Sequence, residues 1–326
     1  MKKIILFSLS ALTLLATSCS NEEILIEKDN NVNVVDVNVS LSDFFSCYTY
    51  NDTKHGISVA EDFRTFHSDY DYYIHVRTLF YNDRGNLVDS IISFVSTTNA
   101  ISKSVKLAEG EYTVITTLNF ALDDSNEESL WDLCDKEKLS TVYLQCAFSQ
   151  TQFSIMSYTS KSISVSSENK TDVKMTPEPI GALGYMVIEN FQYKSKTSSS
   201  TIADNGVREV AFYCQDKAIG YKLDPNATDK YMYKDATGSN TWYYLYSFEP
   251  SDFDWKYFQN NCYGYFYILN PKMKAVFGYE LEGDTGFNPY GEGSYSINNG
   301  QTYLAYWNWF KVGNPYFGKA DNNHWN

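Results

Sequence analysis

The 326-residue chain is short of positive charge and of histidine. Twenty-six lysines and arginines face 40 aspartates and glutamates, with 4 histidines, for a net charge of −14. A surface of that sign repels phosphate backbones, which argues against nucleic acid as a partner. His55, His67, His75 and His324 are scattered along the chain, so none has a second ligand at metal-binding spacing. His75, beside Arg77 in a strand-like run, reads as part of an exposed polar face. No H-E-x-x-H, G-x-S-x-G, phosphate-binding loop or dinucleotide fingerprint occurs, so nothing marks an enzyme and no cofactor is expected. A pair of carboxylates meeting in space would leave no such signature. No apolar run reaches the roughly 20 residues needed to cross a bilayer as a helix. Six cysteines include no C-x-x-C pair. Beyond Cys19 there remain Cys47, Cys134, Cys146, Cys214 and Cys262, an odd number, so at least one thiol is free. Buried thiols acting as small hydrophobes are the preferred reading, with up to two disulfides as the alternative.

What the chain does have begins at its start. Lys2 and Lys3 precede an uncharged run from Ile4 to Leu15, the charged and apolar parts of an export signal. Ala16, Thr17 and Ser18 then lead into Cys19, an arrangement that resembles the lipobox of bacterial lipoproteins. The resemblance implies removal of residues 1–18, acylation of Cys19 by palmitate-type chains, and a lipid-anchored protein in the outer membrane facing outward. Two or three acyl chains hold a protein stably where one does not. An ordinary secretory signal cut near Ser18 is the alternative. The polar, acidic stretch 19–31 reads as a tether.

The remainder alternates at period two. In NVNVVDVNVSL (31–41), Val35, Val37, Val39 and Leu41 share one face, the pattern of a half-buried strand. Residues 72–94 form two β-rich runs around Asn82-Asp83-Arg84-Gly85, a hairpin whose glycine can adopt positive φ. VKLAEGEYTVITTLNFA (105–121) turns at Glu109-Gly110. Further strand-like runs occupy 142–166, 185–193, 208–215, 242–248, 263–270, 274–281 and 301–310. Two short helices are expected, at 125–138, where Ser125 and Glu128 have capping-box spacing, and at 251–259, capped by Ser251 and Asp254. TPEPIGALG (176–184) concentrates two prolines and two glycines, which places a boundary there. The expected fold is therefore all-β: a sandwich over 32–178, a second over 179–326, and short helices.

The lipobox, the hairpin YNDRGNLV and the segment LAEGEYTVITTLNF together resemble the fimbrillin and fimbrial-anchor lipoproteins of the Bacteroides type. NNGQTYLAYW near the end is similar to that family's closing strand. The resemblance implies two transthyretin-like β-sandwich domains in tandem and a role as fimbrial anchor, tip or accessory subunit, pairing strands with other surface proteins. In that family stalk subunits lose their first strand after cleavage at an arginine, whereas anchors keep their lipid. The first arginine after Cys19 here is Arg64, so it is the candidate cleavage point, weighed against a plain solvated loop residue.

Aromatics are abundant, 28 Tyr, 20 Phe and 6 Trp. In YLAYWNWF, Tyr303, Trp307 and Trp309 fall on one face and Tyr306 on the other. One face could be an exposed platform for sugar rings or a partner protein, which makes glycan binding the alternative function. The competing reading buries both faces. DPNATDKYMYKD (224–235) only loosely resembles a calcium loop, since Asp229 stands where glycine is required, and it reads as a surface loop.

Overall fold

The structure is a computed structural model that describes residues 32–42, 44, 48, 50–52, 57–58, 73–96, 100–121, 129–146, 154–168, 170–189, 207–235, 241–248, 262–281, 288–308 and 315–321. Its elements are strands, numbered in chain order. The first sheet has the order β11 (Thr171–Met175), β1 (Val32–Val39), β6 (Ile101–Ala108). The second runs β12 (Glu178–Ile180), β10 (Met156–Val165), β7 (Gly110–Ala121), β4 (Tyr73–Asn82), β5 (Leu87–Val95). A third runs β16 (Tyr231–Tyr233), β15 (Ala218–Lys222), β9 (Tyr143–Cys146), β8 (Trp131–Cys134). The fourth is β18 (Cys262–Ile268), β13 (Ala182–Glu189), β21 (Thr302–Asn308), β22 (Tyr316–Lys319), and the fifth β17 (Tyr243–Phe248), β14 (Val207–Cys214), β19 (Lys272–Leu281), β20 (Asn288–Ser296). A two-residue pair, β2 (Asn51–Asp52) with β3 (Ile57–Ser58), completes the set.

Side-chain alternation explains how these sheets stack. Ile74, Val76 and Phe80 of β4 join Val35, Val37 and Val39 of β1 in one core, and Phe44, just beyond β1, lies 5.2 Å from Phe120 across it. The opposite face of β4 meets β8, because Arg77 reaches Ser129 and Trp131. The fourth sheet is buried on both sides. Leu183, Tyr185, Val187 and Leu304 enter the first core, while Ala182, Met186, Ile188, Ala305 and Trp307 enter a second core shared with the fifth sheet.

The all-β expectation holds, and the strand at 31–41 and the hairpin at 72–94 lie where the alternation put them. The chain also turns at Gly110, but its two flanking strands do not pair as a hairpin: β6 joins the first sheet and β7 the second. Gly85 has a φ of 69° at its turn. The helix expected at 125–138 is corrected. Residues 131–134 form β8, with Trp131 opposite Cys146 and Leu133 opposite Leu144. Pairing with β9 and full burial of Trp131, whose Nε1–H donates to the Ser154 carbonyl at 3.0 Å, outweigh the weak helical preference of so short a segment. The helix at 251–259 falls outside the described residues. Strands β12, β15, β16, β20 and β22 do not show in the sequence pattern: glycine interrupts β15, β20 and β22, and β12 and β16 are only three residues long. Across 176–184 the chain passes from β12, paired with β10 in the second sheet, to β13 in the fourth. Gly181, at φ 77°, makes the turn, and a Cβ there would lie 2.6 Å from the Ile268 carbonyl. The third sheet takes two strands from before this turn and two from after it.

Candidate functional site

β1 holds an unusual place. It pairs antiparallel with β6, Val32 opposite Ala108 through Val39 opposite Ile101, and parallel with β11, Val35 opposite Thr171 through Val39 opposite Met175. β6 and β11 do not pair with each other. This first described strand is thus an insert between two strands that have no other ladder among the described residues. Val35, Val37, Val39 and, just beyond, Leu41 are buried. At about 1.5–3 kcal/mol for each buried aliphatic side chain, these four contribute roughly 6–12 kcal/mol of gross burial. That gross figure is of the order of the whole net stability of a typical domain, about 5–15 kcal/mol, so loss of the strand with nothing in its place would be strongly destabilising.

The outer side of the insert carries a polar clasp. Asp36 accepts a hydrogen bond from the Ser104 hydroxyl at 2.5 Å and pairs with the Lys170 ammonium at 2.7 Å. Ser104 lies on β6 and Lys170 leads into β11, so one carboxylate ties β1 to both neighbours. Lys170 and Ser104 together hold its pKa below the ordinary carboxylate value. At the upstream end Val32 and Val34 are 53% and 48% exposed.

The other residues singled out in the sequence lie as follows. Cys19, Arg64 and Trp309 fall outside the described residues, as do Cys47, His55, His67 and His324. Tyr303 and Trp307 are 5% and 6% exposed, which corrects the idea of an open aromatic platform at these two positions. Trp307 stacks on Tyr290 at 5.1 Å and meets Phe277 edge-on at 5.8 Å, while the Tyr303 hydroxyl donates to the Ser296 carbonyl. Tyr306, on the opposite face, packs half-buried against the first core. An inner strand of a sheet covered on both sides must be apolar on both faces, and β21 is one. Cys134, Cys146 and Cys214 are free thiols; burial pushes the Cys214 thiol up to about 12, which leaves it unreactive. The 224–235 segment turns at 225–226 and then forms β16, with Asp224 accepting the Asn226 N–H and Asp229 accepting the Tyr231 N–H. No cluster of three or more metal-ligating side chains occurs among the described residues.

His75 is fully buried, which corrects its assignment to an exposed face. It stacks on Phe94 at 4.2 Å, and its Nδ1 lies 3.1 Å from the Ser129 hydroxyl. Burial, reinforced by the neighbouring Arg77 charge, lowers its pKa to about 3, so the ring is neutral. The Arg77 guanidinium donates to Asn119 Oδ1 at 2.7 Å, Ser129 Oγ at 2.8 Å and the Trp131 carbonyl at 2.6 Å. Its acceptors are all neutral, and desolvation brings its pKa down to about 10. This network stitches β8 to the second sheet. Its members lie up to 54 residues apart in sequence and were not foreseeable as a set; the one hint was a charged residue inside an otherwise apolar strand.

No protein-family model matches the chain, and no curated protein sequence matches it. Solved structures do. The chain is similar to a candidate adhesin from Bacteroides ovatus, at 10% identity and a TM-score of 0.47, over 89% of this chain and 94% of that one. It is similar to a candidate polysaccharide-binding protein from Bacteroides thetaiotaomicron, at 10% identity and a TM-score of 0.47, over 85% and 90%. It is also similar to the tip fimbrial protein Mfa3 from Porphyromonas gingivalis with C-terminal truncation, at 10% identity and a TM-score of 0.39, over 89% and 99%.

Proposed function

We propose that the chain is a surface lipoprotein of the fimbrial type, anchored through Cys19, that serves as an anchor, tip or accessory subunit and pairs strands with neighbouring subunits. The observation that carries this reading is the insertion of β1 between two strands that have no other partner among the described residues. Removing β1 would expose two unpaired ladders flanking a groove that Val35, Val37 and Val39 now fill. The burial involved means that only another strand of alternating apolar residues can take its place. An anchor or accessory subunit keeps β1; a stalk subunit gives it up after a cut at Arg64. The clasp at Asp36, on the solvent side, adds register to the insert without deepening its burial. Glycan stacking on Tyr303 and Trp307 has no support, because both rings are committed to the core.

Two measurements test this. Mass spectrometry of the mature protein should find an acylated Cys19 at the N-terminus for an anchor, or a start at Thr65 for a stalk subunit; an unmodified start elsewhere sinks the lipoprotein assignment. A chain beginning at residue 65 should take up a synthetic peptide of residues 31–41, read by fluorescence anisotropy, and gain thermal stability on doing so. A peptide with Val35, Val37 and Val39 changed to serine should not bind. Equal uptake of both peptides would end the strand-exchange reading.

A further inference from the structure

A cleft of about 450 Å³ is built from five separate segments. The β4–β5 turn contributes Asp83 and Arg84, the start of β7 contributes Glu111, the loop before β9 contributes Lys138, β10 contributes Ser162, and the β15–β16 loop contributes Asp224. That last loop lies beyond Gly181, so the cleft forms where the two halves of the chain meet, a common location for ligand sites. Its volume is within the roughly 300–1,000 Å³ of small-molecule pockets.

The walls are held in place by the chain itself. Asn82 Oδ1 accepts the Arg84 and Asn86 N–H groups at 3.1 and 3.0 Å, which sets the shape of the turn tip. The Leu139 N–H donates to the Gly85 carbonyl at 2.8 Å, and Lys138 donates to Asn86 Oδ1, pinning that tip to the facing loop. Tyr112 is buried at the foot of the cleft, its hydroxyl donating to the Ala108 carbonyl at 2.9 Å. Asp224 is fixed by the Asn226 N–H, and its carbonyl by Lys230. A frame fixed in advance loses little entropy when a ligand enters.

The groups facing the opening are different. The Arg84 guanidinium and the Glu111 carboxylate make no hydrogen bond or ion pair with any described residue, and no ion pair forms among the five charged side chains of the rim. Opposite charges thus line one opening with no ion pair between them.

We propose that this cleft binds a short, neutral, hydroxyl-rich ligand, an oligosaccharide, with Arg84 and Glu111 as hydrogen-bonding groups at its rim. Three acids and two bases leave the rim with a net charge of −1, which disfavours an anion. The acids are too dispersed to share a metal ion. The wall offers little apolar surface beyond Leu139 and Tyr112, whereas a protein partner would need an apolar centre. Carboxylate and guanidinium groups, one accepting and one donating, match the hydroxyls of a sugar, which do both. This site is separate from the β1 groove and from the aromatic face of β21.

The test uses purified full-length protein on an array of neutral gluco-, xylo-, manno- and N-acetylhexosamine oligosaccharides, with sialylated and sulfated glycans alongside, followed by calorimetric titration of the best binder. Binding to a neutral oligosaccharide is expected. Glu111→Ala and Arg84→Ala should each weaken it about tenfold or more, the cost of losing a hydrogen bond to a charged group. Both should melt with the wild type, since neither side chain has a partner to lose. Absence of any neutral binder, preference for sulfated or sialylated glycans, affinity unchanged in both variants, or a rise in melting temperature with calcium chloride alone would each overturn the proposal. Because neither variant touches β1, uptake of the 31–41 peptide reports on strand exchange independently.

Discussion

At Arg77 a charged side chain is buried against three neutral acceptors, and its removal would strand Asn119 Oδ1, while Ser129 and the Trp131 carbonyl keep each other as partners. An orphaned buried acceptor costs about 1–3 kcal/mol, so Arg77→Ala should destabilise the protein by at least about 1 kcal/mol in chemical denaturation. His75 makes a second, pH-dependent contribution. Its folded pKa, about 3, lies below the ordinary histidine value of about 6.5. As pH falls below about 6.5 the unfolded chain takes up a proton that the folded one refuses, so stability declines through that window. His75→Gln should flatten this limb of the stability–pH curve; an unchanged slope would show that His75 is not its source. Trp307 belongs to the same scale. Truncation to alanine should cost about 3–5 kcal/mol, as for other large core residues, through lost packing on Tyr290 and Phe277.

Among the elements, β1 and β21 read alike as strongly apolar strands yet have different situations. β21 lies inside a sheet covered on both faces, whereas β1 has one buried face and one solvent face held by Asp36. That clasp depends on an ionised carboxylate. Because the Asp36 pKa is lowered in the folded state, its contribution is present above the usual carboxylate pKa of about 4 and fades as pH falls through the folded value. Salt screens its exposed Lys170 pair as well. Hydrogen exchange of the β1 amides, corrected for intrinsic rates, should therefore quicken at pH 3 and in Asp36→Asn relative to other strands of the first core. Edge strands show a related contrast. β6 carries the exposed Lys103 directly opposite the buried Val37, a charge that discourages pairing with stray strands. β5 presents Val88 and Ile92 to solvent instead.

For the whole molecule the third sheet decides how the halves behave. β8 and β9 precede Gly181 and β15 and β16 follow it, with Gly220 to Lys222 paired to Gln145 to Tyr143. The join is reinforced by Tyr158 donating to the Leu223 carbonyl at 2.8 Å, by Tyr267 donating to the Ile180 carbonyl, and by Trp131 meeting Tyr267 edge-on at 6.2 Å. Strand pairing and core are thus shared across the turn at Gly181. Calorimetry should record a single cooperative transition whose calorimetric and van't Hoff enthalpies agree; two well-separated transitions would contradict this. The oligosaccharide cleft depends on the same join, since Asp224 reaches it only because β15 lies beside β9.

The sequence by itself determined the all-β class, the strand at Val32–Val39 and the turns at Gly85 and Gly110, because period-two burial and a positive-φ glycine are local requirements written residue by residue; that the second turn joins two different sheets was not among them. The strand at Trp131–Cys134, the burial of His75, the covering of Tyr303 and Trp307 and the gathering of the cleft were decided only by tertiary structure. Each depends on which distant surface an element meets: β8 is a strand because β9 lies beside it, and β21 is hidden because sheets cover both its faces. A local pattern shows that a face must be buried, but what buries it is set by contacts between residues far apart in the chain.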